Sequence, residues 1–305
     1  MSKEGAVTDR PIQTTAGQLL VNHAELPIRE FEAHWENIHL EDGVKPGLLG
    51  QAIVSLTYRQ KIGQVNSALH GIIILIGPPG TGKTTIARGL ANTVAESIPS
   101  KRVNYAELNP HQLTSELLGK TQKAVVRLLD ENIPALASNG NPTIILLDEV
   151  ETFAIARNKI SMETNPIDIH RATDAILSGM DRLASKFPNL LFIATSNFES
   201  AVDDAFLSRA DAVVFIGKPN VDALRSIFAD VVTVLSKEES KLKKFLEPKF
   251  LAKLATKCAG LDGRQARKLF FRALASSPDM ALHPEKLTEE ILLKTAREIK
   301  AKGGA

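Results

Sequence analysis

Residues 71–77 read GIIILIG and run directly into the loop GPPGTGKTT at 77–85. An aliphatic run with no polar residue, bounded by glycines, is how a strand reads when both of its faces are covered. That happens in parallel sheets flanked by helices. Residues 84–95 then carry helical spacing. Strand, glycine-rich loop and helix in immediate succession leave few folds open. The expected fold is α/β, a P-loop large domain on a parallel sheet.

The loop also implies a chemistry. Gly77, Gly82, Lys83 and Thr84 stand at the fixed positions of a phosphate-binding loop. Glycines let the backbone turn so that successive N–H groups point at phosphate oxygens. The helix that starts here adds the positive end of its dipole. Gly77, Pro78, Pro79, Gly80, Thr81, Gly82, Lys83, Thr84 and Thr85 are therefore expected to cradle ATP. Lys83 is placed for the β- and γ-phosphates, and the Thr84 hydroxyl for Mg2+.

The alternation continues downstream. Strands are expected at 102–108, 143–147, 190–195 and 212–216, with helices at 47–61, 121–131 and 168–184. After Asn220 no further buried strand is expected, and helical stretches follow at about 220–235, 247–258, 263–275 and 288–301. The chain is thus expected to comprise an N-terminal arm at 1–34, a nucleotide-binding α/β domain at 35–218 and a small all-helical lid domain at 219–305.

Five further residues fit ATP hydrolysis. The run Ile144–Leu147 ends in Asp148 and Glu149. Acids at the carboxyl end of a buried strand face the phosphate crevice. There Asp148 suits Mg2+, and Glu149 suits the base that activates water. Capping of the following turn is the other use of such a pair. Asn197 follows the strand at 190–195, where an amide can hold the attacking water or touch the γ-phosphate; turn formation is the alternative. Arg209, in DDAFLSRAD, can act on a neighbouring subunit's γ-phosphate as an arginine finger. Arg264, in GLDGRQARKL, can report closure of the helical domain on the phosphates, or simply face solvent like Arg267.

Composition excludes several classes. Net charge is +2 and the chain holds one cysteine, Cys258, so no intrachain disulfide forms. Its setting, LATKCAG, reads as a helical core position. The N-terminus lacks a signal-peptide stretch, and the longest aliphatic runs are far below the roughly 20 residues that cross a bilayer. A cytoplasmic protein without a membrane partner is expected. Residues 237–272 hold 11 Lys/Arg against 4 Asp/Glu. That leaves open a nucleic-acid motor or clamp loader, although sparse aromatics speak against nucleic acid, and such a run is more often a solvated helix face.

Together the loop, the DE-ended strand, Asn197, Arg209 and the Gly-Arg of the helical region resemble an AAA+ ATPase. Finer features resemble the pachytene-checkpoint (thyroid-receptor-interacting) ATPases, which remodel HORMA-domain proteins. These features are WENI at 35–38, VKPGLL at 44–49, LLDEVETFAIARN at 146–158, TNPIDIHRATDAIL at 164–177, TSN at 195–197, FLSRAD at 206–211 and GLDGRQARKL at 260–269. The resemblance implies a homo-hexameric ring that threads a client through its pore. It places the first pore loop at 113–121, with Leu117 and Leu118 where the family carries an aromatic, and the second at 157–171. The residues before Trp35 are too few for the folded client-recognition domain of eukaryotic relatives. The resemblance is therefore to compact bacterial members, found beside HORMA-domain proteins and nucleotide cyclases in antiphage signalling. It implies ATP hydrolysis with Mg2+ and a HORMA-domain client, itself bound to a cyclase.

Overall fold

A computed structural model describes residues 20–62, 68–99, 102–108, 127–152, 166–197, 202 and 204–302. The pore-loop residues Leu117 and Leu118, and 157–165 of the second loop, lie outside the described residues. The chain divides into two compact units. One comprises 1–35, 45–77 and 83–215, and the other 36–44, 78–82 and 216–305.

The first unit is built on a six-stranded sheet in the order β1-β3-β4-β5-β2-β6. The strands are β1 (Leu20–Leu26), β2 (Ile72–Ile76), β3 (Val103–Leu108), β4 (Thr143–Leu147), β5 (Leu190–Ser196) and β6 (Ala212–Phe215). Neighbours from β3 to β6 pair in parallel. Every residue of β2, β4 and β5 is buried, which is why their centres read as aliphatic runs, with Thr143, Thr195 and Ser196 the polar residues at the ends of β4 and β5.

Helices cover both faces. Ile72, Ile74 and Ile76 pack on one side with Ile145, Phe192, Met180 and Leu183, the last two from a helix at Pro166–Lys186. The alternate residues Ile73 and Leu75 point the other way, toward the helix Lys83–Ser97. A helix at Arg29–Glu36 crosses that one at Gly89, where a Cβ would come within 2.7 Å of the Trp35 backbone. A helix at Val44–Ile62 completes this unit's larger elements. In chain order these are α1 (29–36), α2 (44–62), α3 (83–97) and, after a short α4 (Ile133–Ala137), α5 (166–186).

Three expectations change. Leu20–Leu26 is not arm but an antiparallel edge strand on β3, bulged between Val21 and Ala24. An edge strand needs only one apolar face, so its pattern is weak. The sheet is accordingly mixed. The expected helix at 121–131 is, in its described part, a π-helical turn at Leu128–Asn132 that runs on into α4. Pro134 does not stop it, because at the start of α4 a missing N–H costs little.

The second unit is helical. A four-residue α6 (Asp204–Leu207) precedes it in the chain, and α7 (Val221–Glu238), α8 (Pro248–Lys257), α9 (Gly263–Leu274), α10 (Pro278–Leu282) and α11 (Glu289–Lys302) form it. Asn220 caps α7 through Ala223 N–H, and Asp262 with Gln265 closes a capping box on α9. Leu224, Phe228, Leu254, Leu269, Phe270 and Leu292 meet in its core, with Cys258 fully buried among them. Burial pushes that thiol up to about 11. No helix among the described residues is long and apolar enough to cross a membrane.

Candidate active site

The parallel register brings the carboxyl ends of β2, β4 and β5 side by side, with Ile76 opposite Ser196 and Leu147 opposite Ala194. In open α/β sheets that edge is where ligands bind. Lys83, the first residue of α3, is buried and donates from Nζ to the Gly77 carbonyl (2.8 Å) and to Asn197 Oδ1 (2.9 Å). The amide nitrogen of Asn197 lies 3.4 Å from Glu149 Oε1. Asn197 thus stands between Lys83, the expected phosphate-binding cation, and Glu149, the expected base.

Thr84 Oγ1 donates to Asp148 Oδ1 at 2.9 Å. A hydroxyl and a carboxylate side by side are hard oxygen donors. Mg2+ at a phosphate site takes one or two such protein ligands beside phosphate oxygens and water, so Thr84 and Asp148 fit that ion. Among the described residues, no group of three or more His, Cys, Asp or Glu side chains gathers to form a self-sufficient metal cage.

Two residues not singled out from the sequence belong to this cluster. Thr195, buried on β5, donates to Asp148 and accepts the backbone N–H of Glu149 at 3.1 Å. Glu151, in the turn Val150–Thr152, accepts the backbone N–H of Asn197 at 3.0 Å. The run DEVE at 148–151 and the triplet TSN at 195–197 were their only sequence signals. Glu149 itself adopts φ +52°. Strained backbone of that kind at a non-glycine residue persists where surrounding bonds hold it, and it concentrates at functional sites.

A second polar group backs the cluster. Arg88, on α3, donates to both oxygens of the buried Glu107, at 2.8 and 2.9 Å. Burial alone lowers the Arg88 pKa, but the Glu107 hydrogen bonds and charge outweigh it and the net shift is upward. Tyr105 donates to the same carboxylate at 2.7 Å, and burial first, then Glu107, raise its pKa.

Within the second unit, Arg264 is exposed at the start of α9, and its backbone N–H donates to the Gly80 carbonyl at 3.1 Å. Gly80 has φ +83°, and a Cβ there would meet the Asp262 carboxylate at 2.8 Å. Both facts demand glycine. Thr81 Oγ1 donates to the Pro78 carbonyl at 3.0 Å, bracing the loop from within.

Arg209 is not part of the Lys83 cluster. Asp211 N–H donates to the Ile72 carbonyl, so Arg209 sits just before the amino end of β6, beside the start of β2. A five-residue strand spans on the order of 15 Å, and β2 separates Arg209 from the end where Lys83 and Asp148 meet. Its guanidinium pairs with Asp181 on α5, Nε to Oδ1 at 2.8 Å and Nη2 to Oδ2 at 2.9 Å.

Comparison with known proteins agrees with this geometry. A model of the family described as "ATPase family associated with various cellular activities (AAA)" matches residues 73–218. The CD-NTase-associated protein 6 of Pseudomonas aeruginosa is 46% identical over 283 residues, covering 92% of this chain and 93% of the relative. The Pachytene checkpoint protein 2 homolog of Arabidopsis thaliana is 32% identical over 310 residues, covering 90% of this chain and 66% of the plant protein. Among solved structures, a chain of the E. coli MS115-1 HORMA:CdnC:Trip13 complex superposes with a TM-score of 0.74 at 17% identity, covering 94% of this chain and 97% of that one. At that identity the likeness is one of fold.

Proposed function

We propose a function from one plain premise: this chain belongs to the AAA ATPases, in their pachytene-checkpoint branch. It is an ATPase, and the use of the energy is a HORMA-domain protein, which the chain pulls out of its complex with a nucleotide cyclase. That places it in antiphage cyclic-oligonucleotide signalling, in the cytoplasm, with the complex kept silent while ATP lasts. Support comes from the E. coli MS115-1 HORMA:CdnC:Trip13 complex, one chain of which shares the fold, and from the relative at 46% identity, by name associated with a CD-NTase.

The observation that carries the hydrolytic part is the bond chain Lys83–Asn197–Glu149 at the carboxyl edge of the sheet. Lys83 and the N–H groups of residues 77–85 hold the triphosphate of ATP. Glu149 takes the proton from the attacking water, and the Asn197 amide orients that water against the γ-phosphate. Thr84 and Asp148 would hold Mg2+, which would supply positive charge beside the phosphates of bound ATP. Arg209 completes the site of the next subunit in a hexameric ring, and Arg264 senses the phosphates from the helical lid domain, 219–305. Leu117 and Leu118 grip the client in the pore by apolar contact.

Glu149→Gln keeps the carbonyl oxygen but removes the base. The variant should bind ATP, fail to turn it over, and stay on its client. Loaded with ATP in an extract of the host cell, it should retain a HORMA-domain protein. Retention of DNA or of an unrelated client instead would overturn the proposal, and normal turnover by the variant would overturn the assignment of the base.

A further inference from the structure

The Lys83–Asn197–Glu149 chain depends on where the Asn197 amide points, and that is set by the peptide unit joining Ser196 to Asn197. Both poles of that peptide are tied. Its carbonyl oxygen, on Ser196, accepts the backbone N–H of Gly77 at 3.2 Å, the first residue of the phosphate loop. Its N–H, on Asn197, donates to Glu151 Oε1 at 3.0 Å. One end of a single peptide plane is thus held by the loop that binds phosphate. The other is held by a side chain two residues beyond the expected base.

The tie at Glu151 is a built one. Asn197 lies one residue past β5, where ladder hydrogen bonding has ended. Without Glu151 its N–H would have no strand partner to hold it. Glu151 Oε2 is buried and has no hydrogen-bond partner among the described residues. Burying a carboxylate oxygen in that way carries a cost. In return the carboxylate's other oxygen, Oε1, accepts the Asn197 N–H at 3.0 Å.

We propose that Glu151 is a positioning residue for ATP hydrolysis: it fixes the Ser196–Asn197 peptide and so aims the Asn197 amide between Lys83 and Glu149. This rests on the reading of Asn197 and Glu149 as the water-orienting pair. Groups that orient a reactant must be held within a fraction of an ångström, and a misplacement of about 1 Å costs up to about 10²-fold in rate. Glu151 touches no reacting atom. Its removal therefore slows turnover and leaves ATP binding alone, because Lys83 keeps its bond to the Gly77 carbonyl.

The test compares Glu151→Ala, Glu151→Gln, Asn197→Ala and the Glu151→Ala/Asn197→Ala double variant in the full-length protein. The readouts are ATP turnover, the Kd of a fluorescent ATP analogue and thermal melting. Glu151→Ala should lower kcat by about 10- to 100-fold with Kd unchanged. Glu151→Gln keeps an amide oxygen to accept the Asn197 N–H, and should recover most of the lost turnover. The double variant should be no slower than Asn197→Ala, because both act through one amide. Should Glu151→Ala fail to fold, Glu151→Asp replaces it, since the shorter carboxylate falls short of the Asn197 N–H.

If Asn197→Ala is impaired while Glu151→Ala turns over ATP within twofold of the parent, the role of Glu151 is overturned and the site reading survives. Losses that multiply in the double variant, or a Gln variant as slow as the Ala variant, also overturn it. If Asn197→Ala itself turns over normally, both the site reading and the inference fall.

Discussion

At the carboxyl ends of β2, β4 and β5, the side chains of Lys83, Asp148, Glu149, Glu151, Thr195 and Asn197 are bonded to one another or to the backbone between them. At the amino ends of the same strands lies a second polar group. There Arg209 pairs with Asp181, and Asp211 accepts the N–H groups of His70 and Gly71 at 2.7 and 2.9 Å. Arg59, from α2, donates to the Leu190 and Ala184 carbonyls at 2.7 Å each. Arg59, His70, Asp181, Ser185, Ser208 and Arg209 line a cavity of about 350 Å³. The first cluster joins Lys83, Asn197 and Glu149, the proposed cation, water-orienting amide and base, in one bonded chain. The second holds a half-buried arginine a full strand length away from any phosphate bound by its own Lys83. On the function proposed above, the difference places Arg209 in the service of a neighbouring chain's site and not of its own.

The largest expected effect tests that division. Arg209→Ala should lower turnover by about 10³-fold or more, the usual worth of a cation that stabilises phosphoryl transfer in trans. Its ATP Kd should not move, because the phosphate loop is untouched. Mixing Arg209→Ala with Lys83→Ala subunits should restore part of the activity, since the second supplies Arg209 to sites whose Lys83 is intact. A loss of ATP affinity in Arg209→Ala, or no restoration in properly mixed assemblies, would return the arginine to a role inside its own chain.

A smaller effect separates structure from chemistry at the amino end. Arg59 is 2% exposed, and burial lowers its pKa against the opposing pull of Asp211. Its two carbonyl acceptors lie at the first residue of β5 and in the last turn of α5, so it ties α2 to the sheet. Arg59→Met removes the cation and strands those acceptors, at a cost of about 3 kcal/mol. The melting temperature should fall by on the order of 10 °C. Turnover per folded molecule at low temperature should stay at the parent value. A shift under about 1 °C would mean that water satisfies the carbonyls and Arg59 holds nothing together.

What was legible in the sequence follows the same divide. The placement of Lys83, Thr84, Asp148 and Glu149 at the carboxyl edge of the sheet could be read because local spacing around a strand end sets it. Asn197 could be read because it follows an obvious strand. Glu151 and Thr195 could not, because their bonds arise from the β4–β5 register, which joins residues some 46 positions apart. Asp181 was hidden for the same reason, 28 residues from Arg209 on a separate helix. Arg59 was hidden by its type: an arginine in an amphipathic helix reads as exposed, and only the fold shows two carbonyls waiting for it. The strand β1 was hidden because its partner β3 lies far downstream and its own alternation is broken by a bulge.

The smallest effect lies near the carboxyl end, where burial acts on a neutral group. His34, on α1, stacks on Phe31 at 5.4 Å between centroids. Its pKa lies below the ordinary 6.5, chiefly through burial and then through the Arg88 charge, with Glu30 and Glu107 pulling the other way. The unfolded chain therefore takes up a proton near pH 6.5 that the folded chain resists. Stability from this residue is full above that pH and is lost as pH falls from about 6.5 through the lowered folded value. His34→Phe keeps the stacking and removes the titration. Urea midpoints measured at pH 7.5, 6 and 5 should fall less steeply for the variant than for the parent. Equal slopes would mean that His34 protonates freely in the folded state, and that the Arg88–Glu107 pair does not shape its surroundings. Arg59→Met should keep the parent's slope while lying lower at every pH, because it weakens the other end of the sheet and leaves His34 as it was.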